Sequence, residues 1–257
     1  MEVVRSVGLI RDLEGSPAEQ VARDLELFDR VAAGFAPDTV RVWRTAPCIV
    51  VPRRDALSPT FDVAAAACAA LGWPVVIRES GGSAFPIGPA TVQVSVVRST
   101  GPGRAPSAGA LYRQLCEPIV SALLESGVPA TVESTPGSMC DGTHNICVDG
   151  RKLAGTAQRQ RRLPDGSTLV LLNAALAVGG PWEPAVAAVQ RFCRLLGRPD
   201  QYDSACHTYL MECMPDAIGG ELAAWSDWAL RWLEDVFVRS HNREAGGHDR
   251  GTTEAAC

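Results

Sequence analysis

One cysteine lies where its thiol could act as a nucleophile. Cys140 is in the polar, turn-prone segment PGSMCDGTHN, whereas Cys68 lies among the alanines of a predicted helix. A nearby cation, such as Lys152 or a protonated His144, would lower the pKa of the Cys140 thiol and supply a thiolate for covalent catalysis. The alternative is that Cys140 is one more of nine cysteines that act as small buried hydrophobic residues.

A second candidate is the only lysine of the chain, Lys152, in the stretch GRKLAGTAQRQRR. From the residues alone, a functional position and chance retention on a solvated face are both open. Arg159, Arg161 and Arg162 follow it as a small basic patch. This patch is either a solvated face or a docking surface for an acidic partner.

A third candidate is the stretch RESGGSA, from Arg78 to Ala84, at the end of a predicted strand. Paired glycines permit positive φ and let main-chain N–H groups approach a ligand carbonyl or phosphate, with Arg78 as a fixed charge beside them. An ordinary glycine turn is the alternative. The stretch matches neither the dinucleotide-binding nor the P-loop glycine pattern.

The composition is that of a globular chain without a general attraction for polyanions. The 257 residues are 46% hydrophobic and 21% charged, with a net charge of -5, which argues against disorder, nucleic-acid binding and an anionic membrane surface. No export signal or membrane span is recognised, and the odd number of scattered cysteines predicts a cytoplasmic protein. No metal site is predicted, because Cys193, Cys206, His207 and Cys213 match no common zinc spacing.

Strands and hairpins must position these candidates. TVRVWR, PCIVVP, PVVIRE and TVQVSVV predict strands, and a capping box at Ser16 to Glu19 begins an amphipathic helix. Asp149-Gly150 and Asp165-Gly166 are hairpin signals that predict a three-stranded meander, with Lys152 just after its first turn. Without regular βαβ alternation, we expect an α+β fold with a mixed, mainly antiparallel sheet flanked by helices.

Together these motifs resemble the lipoate protein ligase and octanoyl transferase family, in the superfamily that also includes biotin protein ligase. RESGGSAF is similar to the family's arginine and Ser-Gly-Gly loop, and VDGRKLAGTAQR to its lysine motif. The resemblance covers roughly Arg41 to Val178 and implies a catalytic domain of that superfamily. We therefore expect a single domain over residues 1–240, a disordered tail over residues 241–257 and no accessory C-terminal domain.

The resemblance implies protein lipoylation, the attachment of an octanoyl or lipoyl group to one lysine of a lipoyl carrier domain. CDGTHN is similar in placement to the cysteine segment of cysteine-dependent octanoyl and lipoyl amidotransferases. In that scheme Cys140 carries the acyl group as a thioester and Lys152 stabilises the charge that develops on the acyl carbonyl. The implied substrate-binding residues are Arg78, Ser80, Gly81, Gly82, Ser83, Ala84, His144, Asn145, Ala154, Gly155 and Thr156.

Three activities are compatible with this resemblance. The transferase takes the acyl group from an acyl carrier protein or a lipoylated protein and requires no cofactor. An ATP-dependent lipoate protein ligase would use ATP and Mg²⁺ to form an acyl adenylate, and Cys140 would be incidental. A non-catalytic protein that binds lipoate or biotin is the third. We expect the transferase, because Cys140 lies shortly before the Gly-Arg-Lys motif.

Overall fold

A computed structural model describes residues 8–198, 200–214 and 217–248 of the chain. Its strands are β1 Gly8–Asp12, β2 Thr39–Trp43, β3 Cys48–Pro52, β4 Val75–Arg78, β5 Phe85–Ile87, β6 Thr91–Thr100, β7 Ala130–Glu133, β8 Asn145–Val148, β9 Arg151–Arg162 and β10 Thr168–Ala177. Its helices are α1 Pro17–Ala32, α2 Phe61–Ala69, α3 Ala108–Glu125, α4 Glu183–Leu195, α5 Leu210–Cys213 and α6 Leu222–His248, with 3-10 turns at Arg53–Leu57 and Ser204–Cys206.

The strands form two sheets. The larger sheet has the order β1-β2-β6-β10-β9-β8-β7, and the smaller has the order β4-β3-β5. Parallel pairing joins β1 to β2 and β3 to β4, and the remaining pairs are antiparallel. The predicted α+β fold with a mixed, mainly antiparallel sheet is confirmed.

The meander β8-β9-β10 is the part of the fold that positions Lys152. Asp149 and Gly150 have φ angles of 50° and 71°, as the tightest hairpin turn requires. Gly166, with φ of 80°, turns β9 back into β10. Lys152 pairs with Cys147 of β8 next to a register shift. The prediction of two successive hairpins, with Lys152 just after the first turn, is therefore confirmed.

Three short strands, β1, β5 and β7, are absent from the sequence prediction. β5 has only three residues with Pro86 at its centre, and most of β7 is exposed, so neither presents a clear two-residue apolar period. β5 affects the site directly because it follows the glycine loop. The loop joins β4 to β5 and does not run directly into β6.

The last helix is longer than the sequence predicts. Its apolar spacing predicts an end near Val238 and a disordered tail from residue 241, whereas α6 continues to His248. In the added turns Arg243, Glu244 and Ala245 favour helix, whereas Gly246 and Gly247 do not, so local propensity does not account for the whole extension. The rest of the predicted tail, residues 249–257, lies outside the described residues. Within the described ranges, no helix is long and apolar enough to cross a membrane.

The basic patch of the sequence is largely engaged inside the chain. Arg159 pairs with Glu79, and Arg161 pairs with Asp29 at 2.8 Å. Both guanidinium groups also lie over the ring of Phe28 on α1. These two arginines therefore help to attach α1 to β9, whereas Arg162 is exposed and donates to Thr168 Oγ1 at 3.2 Å. A docking role for the patch stays a prediction.

A buried ion-pair network fixes α1 against the large sheet. Arg41 of β2 is 1% exposed and donates to Asp24 of α1 at 2.6 Å and to Asp12 of β1 at 3.0 Å. Asp24 also accepts from Ser95 and Asn173. Removing one member of a buried ion pair strongly destabilises the folded protein, because the other charge is left buried without a partner.

We predict that Arg41→Met lowers the free energy of unfolding by about 3–5 kcal/mol, since Asp24 would be left buried without its cation. Arg23→Met is the matched control, because Arg23 pairs with the same Asp12 but its side chain is 36% exposed. Arg23→Met should lower the free energy of unfolding by no more than about 1 kcal/mol. Urea unfolding measures both changes, and equal losses would contradict the assignment.

Candidate active site

An apolar cavity of about 450 Å³ lies between the smaller sheet, α1 and the central strands of the larger sheet. Its apolar lining includes Leu25, Trp43, Val76, Phe85, Ile87 and Leu171. Cys140, Arg78 and Ser80 contribute to its wall. The volume is within the range of small-molecule sites, about 300–1,000 Å³. The cavity can therefore hold an acyl chain next to the Cys140 thiol.

Cys140 lies in the loop between β7 and β8 and has an unusual backbone. Its φ is 51°, a conformation that non-glycine residues rarely adopt and that other contacts must maintain. The half-buried Sγ accepts a hydrogen bond from the backbone N–H of Ser83 at 3.1 Å. The thiol of the β7–β8 loop therefore contacts the glycine loop that follows β4.

Arg78, at the end of β4, shapes the glycine loop from the inside. Its guanidinium donates to the carbonyls of Val50, Gly81 and Ser83, each at 2.8 Å. Gly82 has φ of +104°, and a Cβ there would lie 2.7 Å from Arg78 Nη2 and 2.9 Å from Cys140 Sγ. Only glycine allows this loop to approach the thiol so closely.

Lys152 reaches the same loop from β9. It is 1% exposed, and its Nζ donates to the carbonyls of Met139 at 2.7 Å and Cys140 at 2.8 Å. An ammonium has three N–H donors, and among the described residues these two carbonyls are its hydrogen-bond acceptors, so a third N–H is left for a ligand. Gly155 leaves space beside it, because a Cβ there would lie 3.4 Å from Nζ. The ammonium also lies 5.3 Å from the ring centre of Phe85.

The charges of the site favour a thiolate on Cys140. Burial would raise the pKa of this thiol, but Arg78, Lys152 and the Ser83 N–H outweigh it and hold the pKa below its ordinary value. Burial lowers the pKa of Lys152 to about 8, although the neighbouring Cys140 charge favours its ammonium form. By contrast, burial raises the pKa of the Cys48 and Cys116 thiols to about 12.

The other predicted site residues divide into three groups, with His144 apart from them. Ser80, Gly155 and Thr156 line the cavity. Gly81, Gly82 and Ser83 form the loop around Arg78. Ala84, Asn145 and Ala154 are buried structural positions, and Asn145 donates to Asp141 at 2.8 Å, which fastens the Cys140 loop. His144 stacks on Tyr112 with ring centres 4.7 Å apart.

From the sequence alone, His207 is notable only as a possible metal ligand. Its ring instead accepts the backbone N–H of Met139 at 3.1 Å, next to Cys140. No motif marks this residue, because the contact joins positions 68 residues apart. Within the described ranges, no group of three or more His, Cys, Asp or Glu residues could hold a metal ion.

We predict that Gly82→Ala slows alkylation of Cys140 by iodoacetamide at neutral pH. The new methyl group would force strain on the order of 1–3 kcal/mol and move Sγ away from the Ser83 N–H. Gly81→Ala is the matched control, since a Cβ at Gly81 meets nothing within 4 Å. Peptide mapping by mass spectrometry follows the modified thiol. Equal rates in both variants would show that the close approach has no effect on the thiol.

We also predict that Cys140 is alkylated at a lower pH than the other thiols. Lys152→Met should raise the pKa of the Cys140 thiol, because a cation that stabilises the thiolate is removed. The pH profile of alkylation at each cysteine checks this, with Cys48 and Cys116 as unreactive internal references. An unchanged Cys140 profile in the variant would contradict the proposed coupling.

Comparison with known proteins identifies the family of this chain. The sequence model of the lipoyl protein ligase A/B catalytic-domain family matches residues 16–164. An octanoyl-GcvH:protein N-octanoyltransferase of Kyrpidia tusciae is 39% identical over 152 residues, which are 58% of this chain and 51% of the relative. A lipoyl-GcvH:protein N-lipoyltransferase of Listeria monocytogenes is 26% identical over 184 residues, which are 71% of this chain and 64% of the relative. The chain thus spans less than two thirds of either relative.

Solved structures share the fold. Lipoate-protein ligase A bound with ATP superposes with a TM-score of 0.65 at 16% identity, over 91% of this chain and 85% of that one. A putative lipoate protein ligase of T. acidophilum with bound lipoic acid gives 0.60 at 17% identity, over 91% and 86%. Since the family model matches more than half of the sequence, the chain belongs to the lipoyl protein ligase A/B catalytic-domain family.

Proposed function

We propose that this protein is an acyltransferase of protein lipoylation, which moves an octanoyl or lipoyl group through a thioester on Cys140 to a lysine of a lipoyl carrier domain. The observation that carries the proposal is the position of Cys140. Its Sγ accepts the Ser83 N–H at 3.1 Å, lies beside an apolar cavity and has Arg78 and Lys152 as neighbouring cations. A thiolate in this setting is a nucleophile rather than packing material.

In the first half of the reaction the Cys140 thiolate attacks the acyl carbonyl carbon of the donor. The C–S bond to Cys140 forms and the carbonyl π electrons move to oxygen. When the carbonyl re-forms, the bond to the donor breaks: an acyl carrier protein leaves as its thiolate, whereas an acylated lysine leaves as an amine that takes up one proton from solvent. The unused N–H of Lys152 stabilises the oxyanion, since a preorganised donor in a buried site acts on the developing charge.

In the second half the neutral amine of the acceptor lysine attacks the Cys140 thioester. The C–N bond forms, the C–Sγ bond breaks, and the amine proton is released as the thiolate is restored. The leaving thiolate returns to the Ser83 N–H and to the two cations that stabilise it at rest. The cavity keeps the apolar part of the acyl group out of water in both halves.

The relatives' names support a particular partner. Both the Kyrpidia tusciae and the Listeria monocytogenes names pair an acyl group on GcvH with a second protein. We therefore propose a GcvH-type carrier as the first donor to test and the lipoyl domain of another protein as the acceptor. Octanoyl acyl carrier protein is the alternative donor. We place this chemistry in the cytoplasm, where thiols remain reduced.

The donor experiment tests the function. The protein is incubated with octanoyl-GcvH or octanoyl acyl carrier protein, without ATP, and its intact mass is measured. We expect one octanoyl adduct, which peptide mapping places on Cys140 and which an apo lipoyl domain then removes. Cys140→Ser should form no thioester and lose transfer. If free octanoate is instead transferred only with ATP and Mg²⁺, and Cys140→Ser retains full activity, the protein is a ligase.

We predict that Lys152→Met lowers the rate of octanoyl transfer on the order of 100–1,000-fold, as loss of one oxyanion donor does in other acyl-transfer enzymes. Lys152→Arg should not restore it, because a planar guanidinium cannot occupy the space between the Met139 and Cys140 carbonyls. Single-turnover acylation of Cys140 measures the effect. Near-normal rates in the Met variant would contradict the proposed role of Lys152.

A further inference from the structure

His207 is buried and makes a directed contact with Met139, the residue before the candidate nucleophile. The side chain is 3% exposed, and its Nε2 accepts the backbone N–H of Met139 at 3.1 Å. The ring also packs on Trp182, with ring centres 4.8 Å apart. His207 lies well beyond residues 16–164, the part of the chain that the family model matches.

The same segment holds the backbone of Lys152. His207 forms a parallel bridge with Lys152, and the next residue, Thr208, donates its N–H to the Lys152 carbonyl at 3.0 Å. Lys152 in turn donates from Nζ to the carbonyls of Met139 and Cys140. The N–H of Met139 is therefore fixed by His207, and its carbonyl is fixed by Lys152.

These contacts explain how Cys140 keeps a strained backbone. A non-glycine residue at φ of 51° is strained and remains there only when neighbouring contacts impose it. The residue before Cys140 is held on both sides of its backbone. Without the His207 contact, the loop would be free to turn Cys140 toward an ordinary conformation and move Sγ away from the Ser83 N–H.

We infer that His207 is a positioning residue of the proposed transfer: through the Met139 N–H, its ring holds Cys140 Sγ against the Ser83 N–H and beside the cavity. The role of His207 in acyl transfer rests on the proposed function. Its effect on the position of the Cys140 thiol does not depend on which acyl group is transferred.

The contact requires a neutral ring with its hydrogen on Nδ1, because Nε2 is the acceptor. The surroundings favour this form: burial and then the charge of Lys152 lower the pKa of His207 to about 4, against a smaller opposite effect of Asp203. Nδ1 has no hydrogen-bond partner among the described residues. A buried unpaired donor is destabilising, so the ring occupies this site despite a loss of stability.

Two variants distinguish the effect of the hydrogen-bond acceptor of His207 from the effect of its ring packing. His207→Phe keeps a planar ring against Trp182 but removes the acceptor, and it also removes the unpaired Nδ1–H. His207→Gln loses the ring but offers an amide oxygen in place of Nε2. The readout is the pH profile of Cys140 alkylation, followed by peptide mapping, with circular dichroism and thermal unfolding to check the fold.

We expect His207→Phe to raise the pKa of the Cys140 thiol, and so to lower the rate of its alkylation at neutral pH by up to about tenfold. His207→Gln should stay within about threefold of the wild type, since the hydrogen bond to the Met139 N–H is retained. A wild-type profile for the Phe variant would overturn the inference. An equal loss in both variants would do the same, because ring packing alone would then explain it.

A direct measurement on the unmodified chain covers the case in which the Phe variant does not fold. Nitrogen-15 NMR of the histidine rings should give the neutral Nδ1–H form of His207 at neutral pH. An Nε2–H tautomer or a charged ring would overturn the inference. Neither readout needs acyl transfer, so an unacylated Cys140 in the donor experiment would count against the proposed function alone.

Discussion

The site depends on one buried ammonium group. Lys152 is 1% exposed, and a buried cation is unfavourable unless carbonyls and a negative charge surround it. Two loop carbonyls and the Cys140 thiolate provide those partners. The stabilisation is mutual: the thiolate favours the ammonium form of Lys152, and the ammonium lowers the pKa of the thiol. Removing either charge therefore changes the protonation of the other.

Regular strands and strained loops have different roles around this pair. Lys152 and Gly155 are on β9, whose two hydrogen-bonded neighbours hold it rigidly in the larger sheet. Cys140 and Gly82 are on loops with positive φ angles of 51° and 104°, which bring Sγ within reach of a backbone N–H. The ammonium on the strand and the thiol on the loop meet because hydrogen bonds of Arg78 and Asp141 fasten the two loops.

Local signals predicted much of this arrangement. Turn chemistry at Asp149-Gly150 is determined by neighbouring residues, so the meander and the place of Lys152 could be read from the sequence. Cys140 could be singled out because it stands among polar turn formers. Arg159 and Arg161 could not be assigned, because their partners Glu79 and Asp29 are far away in the chain. The contact of His207 with Met139 also joins residues far apart in the chain, and no local sequence pattern predicts it.

The shared fold does not decide how the acyl group is activated. Ligase structures at 16–17% identity superpose on most of this chain, and one fold hosts different chemistries through the residues of its site. Two features of the Cys140 loop bear on the choice. The backbone of Cys140 is held at a costly φ angle, and its Sγ receives a directed N–H from Ser83. A cysteine that only packed would need neither, whereas a thiolate that attacks a carbonyl beside an apolar cavity requires a fixed position and a stabilised charge. The geometry of the loop therefore supports the proposed thioester rather than the alternative of activation by ATP.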